Sequence, residues 1–343
     1  MGPTGRSRVV QIHPTRRCNL RCLHCYSSSG PEERGELSAA LLGDALEAAA
    51  AEGYTTASVS GGEPMLYRPL REVLERARTA GLATTVTSNG MLLDERRLAT
   101  LAGCVDVLAI SLDGMPATHD RMRCDPRAFS TMASRLDGVR RSGIPFGFIF
   151  TLTLHNLHEL EWVAQFALEQ GASLLQIHPL EEAGRARERL AGKRPDDTEC
   201  SYAFLVAAQL QEALAGRLHV QLDLISRSYV LSSPACFFAE GGTACAADQP
   251  LSELVSPLVI EADGTVVPLE YGLARAYVLG NLHRAPLAEL AAAWRRDTYP
   301  AFRRLCRAAW EDVEADEDVP LANWYERVQR AGESSAAAVE LAG

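Results

Sequence analysis

The sequence predicts an α/β fold, a partly open barrel of six parallel strands that alternate with helices. Short apolar runs recur between residues 9 and 178, and each is followed by a segment whose apolar residues have helical spacing. Regular strand–helix alternation is typical of parallel sheets with right-handed crossovers. Polar and glycine-rich segments follow several of the predicted strands, where such folds place their functional residues.

The predicted elements follow one another in a regular order. Strands are predicted over residues 9–13, around Val59, and over 83–87, 105–112, 146–154 and 173–178, and helices over 38–51, 71–80, from 94 onward, 129–142 and 157–170. Ser38 is a typical N-cap residue, and Gly81, Gly143 and Gly171 follow the last residues with helical spacing. Residues 105–112 are nearly all apolar, as a buried parallel strand requires.

Composition and charge narrow the functional classes. The chain has 343 residues, enough for a large domain and a smaller one, and 47% are hydrophobic, as in a packed core. No apolar stretch approaches the roughly 20 residues that span a bilayer. The net charge of −10 argues against a general nucleic-acid-binding surface. Neither a membrane nor a nucleic acid is therefore expected as a partner.

One basic cluster lies in a charged segment, residues 181–197. Its members are Arg185, Arg187, Arg189, Lys193 and Arg194. We interpret them as a solvated helix face, with a local basic patch as the alternative. Gly184, Gly192 and Pro195 predict that the segment is a loop with a helical piece, which would cover the mouth of the barrel.

Cysteine usage points to a reducing environment. The chain has nine cysteines, an odd number that fits a disulfide framework poorly, and residues 1–7 lack the apolar stretch of a secretory signal. Free thiols are typical of proteins in the cytoplasm, so we predict a cytoplasmic location.

Three cysteines lie close together after the first predicted strand. Cys18, Cys22 and Cys25 can hold three corners of a 4Fe–4S cube and leave the fourth iron open for a substrate or cofactor. A zinc site is the alternative, but structural zinc takes four ligands, typically in two close pairs, and only His13 and His24 are nearby imidazoles. Buried free thiols are the other alternative. The spacing favours the cluster.

A second motif, Gly61-Gly62-Glu63-Pro64, follows the second predicted strand. The glycines allow close approach of the backbone to a ligand, and Pro64 stiffens the turn. Glu63 can accept a charge-assisted hydrogen bond from an ammonium group, and Arg123 offers a planar fork that matches a carboxylate. Each alone is explained better as a turn or a solvated surface charge. Together they predict a pocket for a zwitterionic amino acid beside an open iron.

The C-x3-C-x2-C spacing and the motifs that follow resemble the radical S-adenosylmethionine (SAM) superfamily over about the first two thirds of the chain. Thr87-Ser88-Asn89-Gly90 and Ser111-Leu112-Asp113-Gly114 end further strands, as in that family. The resemblance implies a 4Fe–4S cluster on Cys18, Cys22 and Cys25. It also implies SAM contacts from His24, Gly61, Gly62, Glu63, Ser88, Asn89, Ser111, Asp113 and Arg123, and Ile177 is expected to pack against the adenine.

The sixth predicted strand carries the candidate catalytic residues. His178 and Glu181 would face the cavity where a substrate lies. For His178 a buried core histidine, satisfied by backbone groups, is an equally good interpretation.

The second half of the chain departs from the barrel pattern near residue 226. Residues 256–268 predict a hairpin around Asp263-Gly264, followed by a helix over 286–294. This region resembles the SPASM or twitch extension of radical SAM enzymes that act on peptides. It departs from them at Pro268-Leu269, where those relatives have Pro-Cys. We therefore predict a core over 1–225, an extension over 226–310, and an acidic, helical, partly disordered tail over 311–343.

Three cysteines in the extension leave several interpretations open. Cys236, Cys245 and Cys306 are scattered, and no cysteine-rich run surrounds them. Structural or remnant thiols are the favoured interpretation, and an auxiliary iron–sulfur cluster with an incomplete ligand set is the alternative. Cys236 or Cys245 could instead give a hydrogen atom to a substrate radical.

The resemblance also implies the reaction. An electron from an external donor of flavodoxin or ferredoxin type would cleave SAM reductively, and the resulting 5′-deoxyadenosyl radical would abstract a hydrogen atom from the substrate. A ribosomally synthesised peptide is the first substrate class, because of the extension. Dehydrogenation or epimerisation of a small molecule (a sugar, an amino acid or an antibiotic precursor) is the second. A non-catalytic iron–sulfur or SAM-sensing protein is the third.

Overall fold

A ten-stranded sheet organises the part of the molecule that the computed structural model describes, residues 8–238 and 249–340, without the side chains of 334–340. Its strands, in chain order, are β1 (Val9–Ile12), β2 (Thr56–Val59), β3 (Ala83–Ser88), β4 (Val107–Ser111), β5 (Phe146–Leu152), β6 (Leu174–Pro179), β7 (His219–Leu222), β9 (Leu258–Ile260), β10 (Thr265–Pro268) and β11 (Gly280–Asn281). A separate pair is formed by β8 (Ile225–Ser226) and β12 (Leu321–Ala322).

Helices connect the strands. They are α1 (Ala39–Ala51), α2 (Leu70–Thr79), α3 (Glu95–Leu101), α4 (Pro116–Arg123), α5 (Ala128–Ser142), α6 (Leu160–Glu169), α7 (Arg185–Arg189), α8 (Asp197–Ala213), α9 (Arg227–Ser232), α10 (Leu251–Leu254), α11 (Leu287–Asp297), α12 (Tyr299–Ala315) and α13 (Trp324–Glu340). Ser38 caps α1 by accepting a hydrogen bond from Leu41 N, and Asp94 caps α3. Gly143 ends α5 with a left-handed backbone. No helix in the described residues is both long and apolar enough to cross a bilayer.

The predicted α/β barrel is confirmed, with one strand more than expected. Strands β1 to β7 lie side by side in chain order and all pair in parallel. The sequence analysis did not predict β7. Its four residues alternate between exposed and less exposed positions, so this edge strand lacks the continuous apolar run of the inner strands.

The extension joins the same sheet. Strand β9 pairs in parallel with β1, with Val10 opposite Leu258, and β10 and β11 continue the sheet as antiparallel strands. The predicted hairpin around Gly264 is present, and its φ of +84° explains the glycine. A single buried hydrophobic cluster includes residues from Val10 to Val328. Core and extension therefore share one packed interior.

Helix α13 forms the C-terminal segment of the described chain. It spans Trp324–Glu340, and the partial disorder that we predicted for the tail stays a prediction. Its first turns are held by packing, since Trp324 and Val328 are buried in the main cluster. Arg327 also pairs with Asp312 and Asp316 of the preceding segment. Local composition alone does not reveal such tertiary contacts.

Because β9 belongs to the sheet of β1, damage to β9 should destabilise the whole chain. Ile260 is fully buried, so we expect Ile260→Ala to lower the free energy of unfolding by about 2–5 kcal/mol. Denaturant unfolding, followed by far-UV circular dichroism and by tryptophan fluorescence, should show one transition whose midpoint moves equally for both probes. A shift confined to fluorescence, to which Trp294 and Trp310 of the extension and Trp324 of the C-terminal segment contribute, would contradict this.

Candidate active site

The three-cysteine loop lies at the carboxyl end of β1 and is fixed by neighbouring backbone groups. Cys18 N donates to Gly30 O at 3.1 Å, and Leu23 N donates to Met122 O at 2.9 Å. Cys18 and Cys22 are buried, and Cys25 is half-buried. These contacts connect the loop to α4 as well as to its own following turn.

The surroundings of the thiols fit a metal cluster. Leu20 N points at Cys18 Sγ (3.4 Å) and Arg123 Nη1 at Cys22 Sγ (3.7 Å), so polar hydrogens face the sulfurs. Burial raises the pKa of Cys18 to about 12, with Glu63 adding to the effect. Burial likewise raises the pKa of Cys22 to about 11, against the opposing charge of Arg123. Cluster iron would supply the positive charge that buried thiolates need.

A cubane also fits the spread of the ligands. Within residues 8–238 and 249–340, no three His, Cys, Asp or Glu side chains surround one metal-ion position. A 4Fe–4S cluster makes no such demand, because each thiolate binds a different iron atom.

Glu63 connects two strand ends. Its carboxylate is fully buried and accepts hydrogen bonds from Ser88 Oγ (2.9 Å), Asn89 N (2.9 Å) and Met65 N (3.0 Å). Burial raises its pKa, while these three donors act in the opposite direction. The side chain thus holds the turns after β2 and β3 together, and a direct bond to a ligand ammonium stays a prediction.

The two glycines before Glu63 approach protein backbone, and their predicted approach to a ligand stays a prediction. A Cβ on Gly62 would lie 2.2 Å from Arg17 O, and one on Gly61 would lie 2.7 Å from Thr15 O. Gly62 N and Glu63 N donate to the same two carbonyls, at 2.8 and 2.9 Å. The glycines therefore allow the turn after β2 to pack against the segment that leads into the cysteine loop.

Asn89 extends this network to the cysteines. Its Nδ2 donates to Asn19 Oδ1 at 2.8 Å and lies 4.0 Å from Cys18 Sγ. Ser88, Asn89 and Ser111 are at most 9% exposed at the carboxyl ends of β3 and β4. Asn89 is therefore close to the thiol loop, and the bonds of all three residues to SAM remain predictions.

A buried ion pair lies on the other side of the loop. Arg123 Nε is 2.6 Å from Asp113 Oδ2, and His24 Nε2 is 3.8 Å from the same oxygen. Burial disfavours the charge on Asp113, but Arg123 keeps its pKa below the usual range. Burial lowers the pKa of His24 to about 4. Asp113 thus orients Arg123 between the loop and the strand end, and the Nη atoms of Arg123 face Cys22.

The end of the sixth strand brings the predicted residues His178 and Glu181 together. His178 Nδ1 is 3.1 Å from Asp223 Oδ2, and His178 Nε2 is 2.8 Å from Glu181 Oε1. Although burial opposes it, these two carboxylates raise the pKa of His178 well above its usual value. The backbone-satisfied alternative for His178 is therefore wrong.

Ile177 points to the opposite face of β6. It is fully buried in the main hydrophobic cluster with Leu175, because successive residues of a strand face opposite sides of the sheet. The predicted contact of Ile177 with the adenine stays a prediction.

The cysteines of the extension occupy different environments. Cys306 is 2% exposed within the main hydrophobic cluster, where burial raises its pKa to about 12. Cys236 Sγ lies 3.7 Å from the Tyr229 hydroxyl. Cys245 falls outside the described residues, so its predicted roles have no structural counterpart.

Sequence reasoning missed Arg185, which holds the cysteine loop from α7. Its Nη1 donates to Cys22 O (2.8 Å), its Nη2 to Ser29 O (2.7 Å) and its backbone N to Cys25 O (2.9 Å). The interpretation of this residue as part of a solvated helix face is wrong. Gly184 was a usable signal, since its φ of +52° places its backbone directly under Tyr26 O.

Two further groups were missed because distant segments form them. His13, at the end of β1, packs against Tyr26 and Tyr271, with ring centroids 5.8 and 4.8 Å away. Beyond His178, a cavity of about 180 Å³ lies between the segment after β6, the end of the hairpin and α13. Glu181 and Glu270 are among its lining residues. No short-range pattern connects Tyr271 or Glu270 with the barrel.

Fold and site together define an α/β barrel whose parallel strands converge on a three-thiol loop suited to an iron–sulfur cluster. Residues 12–167 match the family model of the Radical SAM superfamily. This segment, somewhat less than half of the chain, is similar to that superfamily, whose members bind a 4Fe–4S cluster and SAM.

Known proteins are similar over most of the chain. Pre-heme d1 synthase of Dinoroseobacter shibae is 28% identical over 82% of this chain and 72% of the relative. PqqA peptide cyclase of Ruegeria pomeroyi is 29% identical over 74% of this chain and 65% of the relative. Two further curated relatives align over only 45% and 54% of their own length. The crystal structure of Streptococcus suis SuiB bound to S-adenosylmethionine has the same fold, with a TM-score of 0.66 at 16% identity, covering 87% of this chain and 68% of that one.

Loss of the Arg185 side chain should loosen the cysteine loop. We expect Arg185→Gln to lower the free energy of unfolding by about 1–3 kcal/mol, because two carbonyls lose a charged donor. After anaerobic reconstitution, the variant should retain less iron and sulfide per chain than the wild type. Arg189→Gln, an exposed arginine on the same helix, is the matched control. Equal iron retention in the three proteins would contradict the role of Arg185.

Buried His13 should make the fold sensitive to acid. Gln11 Nε2 donates to His13 Nε2 at 2.8 Å, and burial lowers the pKa of His13 from 6.5 to about 3. Below pH 6.5 the unfolded chain therefore binds a proton that the native state excludes, so stability falls as pH falls.

Replacing the residue tests this. Between pH 7 and pH 5, the free energy of unfolding should fall by about 2 kcal/mol less in His13→Gln than in the wild type. Urea titrations at several pH values measure the difference. His219→Gln, at an exposed position, controls for the loss of a histidine. Parallel pH dependences of wild type and His13→Gln would show that His13 is not the acid-sensitive group.

Proposed function

We propose that this chain is a radical SAM enzyme that cleaves SAM reductively and removes a hydrogen atom from a peptide substrate. The observation that carries the proposal is the buried loop of Cys18, Cys22 and Cys25, which meets the Glu63 network and Arg123 at one edge of a parallel sheet. When bound, the cluster and SAM supply the one-electron chemistry and the hydrogen-abstracting radical.

The chain's own residues provide position and protection from water. Cys18, Cys22 and Cys25 would bind three irons, and Arg123 would bind the SAM carboxylate. Glu63 fixes Ser88 and Asn89, which would contact the ribose. Ser111 and His24 would complete the pocket. Holding the reacting groups in one geometry is a large part of what a protein contributes to such a reaction.

A ribosomally synthesised peptide is the substrate class we favour. The PqqA peptide cyclase is a similar protein, and its name indicates that it acts on a peptide. Its alignment with this chain is long enough to include part of the extension. The extension also contributes Glu270 and Tyr271 to the mouth of the barrel, which widens the surface available to a peptide. The SPASM-like character of this region and the domain limits near residues 226 and 310 remain part of the proposal.

A small-molecule substrate is the second candidate. Pre-heme d1 synthase covers more of this chain than the peptide cyclase does. Porphyrins carry propionate carboxylates, however, and these would meet five glutamates around the cavity beyond His178. Like charges at such distances are unfavourable, so the peptide proposal is the stronger one.

The remaining parts of the proposal concern electron supply and location. Reductive cleavage needs one electron per event, which we assign to an external donor of flavodoxin or ferredoxin type. Such donors work in a reducing compartment, so a cytoplasmic location belongs to the same proposal.

The central experiment compares wild type with a Cys18→Ala/Cys22→Ala/Cys25→Ala variant. After anaerobic reconstitution and reduction, the wild type should bind about four irons and release 5′-deoxyadenosine from SAM, measured by mass spectrometry. The triple variant should do neither, and Cys200→Ala should behave like the wild type. Iron that persists in the triple variant would indicate an auxiliary cluster. A wild type that binds the cluster but never releases 5′-deoxyadenosine would contradict the proposal.

A further inference from the structure

The cavity beyond His178 is rich in carboxylates. Five glutamates line it: Glu181, Glu182, Glu270, Glu326 and Glu333. They come from three parts of the chain, namely the segment after β6, the end of the hairpin and α13. Three arginines share the lining, so carboxylates are in excess.

Most of these charges already have partners. Arg187 pairs with Glu333 at 2.9 Å, and Glu326 pairs with both Arg194 and Arg330. Each of the three arginines that line the cavity is therefore paired with a glutamate of α13.

The carboxylates on the barrel side are satisfied as well, with one exception. Glu181 is paired with His178, and Glu182 Oε1 accepts from Gly192 N at 3.3 Å. Glu270 is 8% exposed, and its Oε1 has no hydrogen-bond partner. A buried polar atom without a partner is costly, so a partner from outside the chain would stabilise it.

We propose that Glu270, together with Glu181, binds a positively charged group of the substrate, a primary amine or guanidinium such as a lysine or arginine side chain. This assignment rests on the proposed function, and it specifies which chemical group of the substrate enters the cavity. A cation placed there gives Glu270 the partner it lacks and balances the excess of carboxylates. Charge-assisted bonds of this kind are stronger than neutral ones.

The size of the cavity agrees with this occupant. Pockets for drug-sized ligands measure roughly 300–1,000 Å³. The volume of about 180 Å³ here suits one extended side chain, with the peptide backbone remaining outside.

The electrostatic surroundings agree as well. Burial raises the pKa of Glu270 well above its usual value, and Glu181 and Glu333 add to this while His178 opposes it. Glu326 and Arg330 from α13 and Arg187 and Arg194 from the facing segment complete the charges around it. These surroundings favour the uncharged form of Glu270 in the empty cavity. A bound cation would favour its ionised form.

The test measures binding of two blocked pentapeptides, Ala-Ala-Lys-Ala-Ala and its norleucine analogue, to the cluster-replete, SAM-loaded protein by anaerobic calorimetry. The analogue keeps the apolar stem and lacks the charge. The wild type should bind the lysine peptide at least about tenfold more tightly, corresponding to about 1.4 kcal/mol. Glu270→Gln, which keeps the shape without the charge, should reduce the ratio to within about twofold.

Glu188→Gln is the matched control, because Glu188 is exposed on α7 and does not line the cavity. It should retain the wild-type preference. Unchanged binding of the norleucine peptide and of SAM in Glu270→Gln would show that this variant is folded. Equal affinities for both peptides in the wild type, or an unchanged preference in Glu270→Gln, would overturn the inference. Release of 5′-deoxyadenosine is recorded separately, so a failure here is distinguishable from a failure of the proposed function.

Discussion

The buried carboxylate of Glu63 is the constraint on which the site depends. Parallel strands deliver their ends to one edge of the sheet, but the turns that follow are irregular and need bonds of their own. Glu63 accepts hydrogen bonds from the turn after β3 while its own turn packs under the segment leading to the cysteines. A buried carboxylate is stable only when it is fully bonded, so the two turns and the loop have one mutually consistent arrangement.

The same principle recurs around the barrel mouth. Asp113 is matched by Arg123, and His178 is matched by Glu181 and Asp223. Arg185 donates hydrogen bonds to backbone carbonyls of the cysteine loop. Each of these polar groups is thus held by a residue from another element. Such cross-bonding keeps reactive side chains rigid without filling the cavity that they surround.

The sequence determined the barrel and the cysteine loop well, because both depend on local patterns. Strand–helix alternation, the cap at Ser38 and the close spacing of Cys18, Cys22 and Cys25 are visible over short stretches. The contacts of Arg185, Asp223 and Glu270 were missed because they join residues far apart in the chain. Ile177 and His178 face opposite sides of β6, as the alternation of a strand requires. The packing of α13 was not foreseen, because Trp324 and Val328 join a hydrophobic cluster built largely from distant parts of the chain.

The pairing of β9 with β1 also has a consequence for how the chain is made. Leu258 is synthesised 248 residues after Val10, its neighbour in the sheet. Throughout that interval the outer side of β1 is an open strand edge, which is a site for unwanted pairing with other chains. The outer edge of β1 is therefore covered only after the ribosome has synthesised β9. In a truncated product that ends before β9, this edge stays exposed.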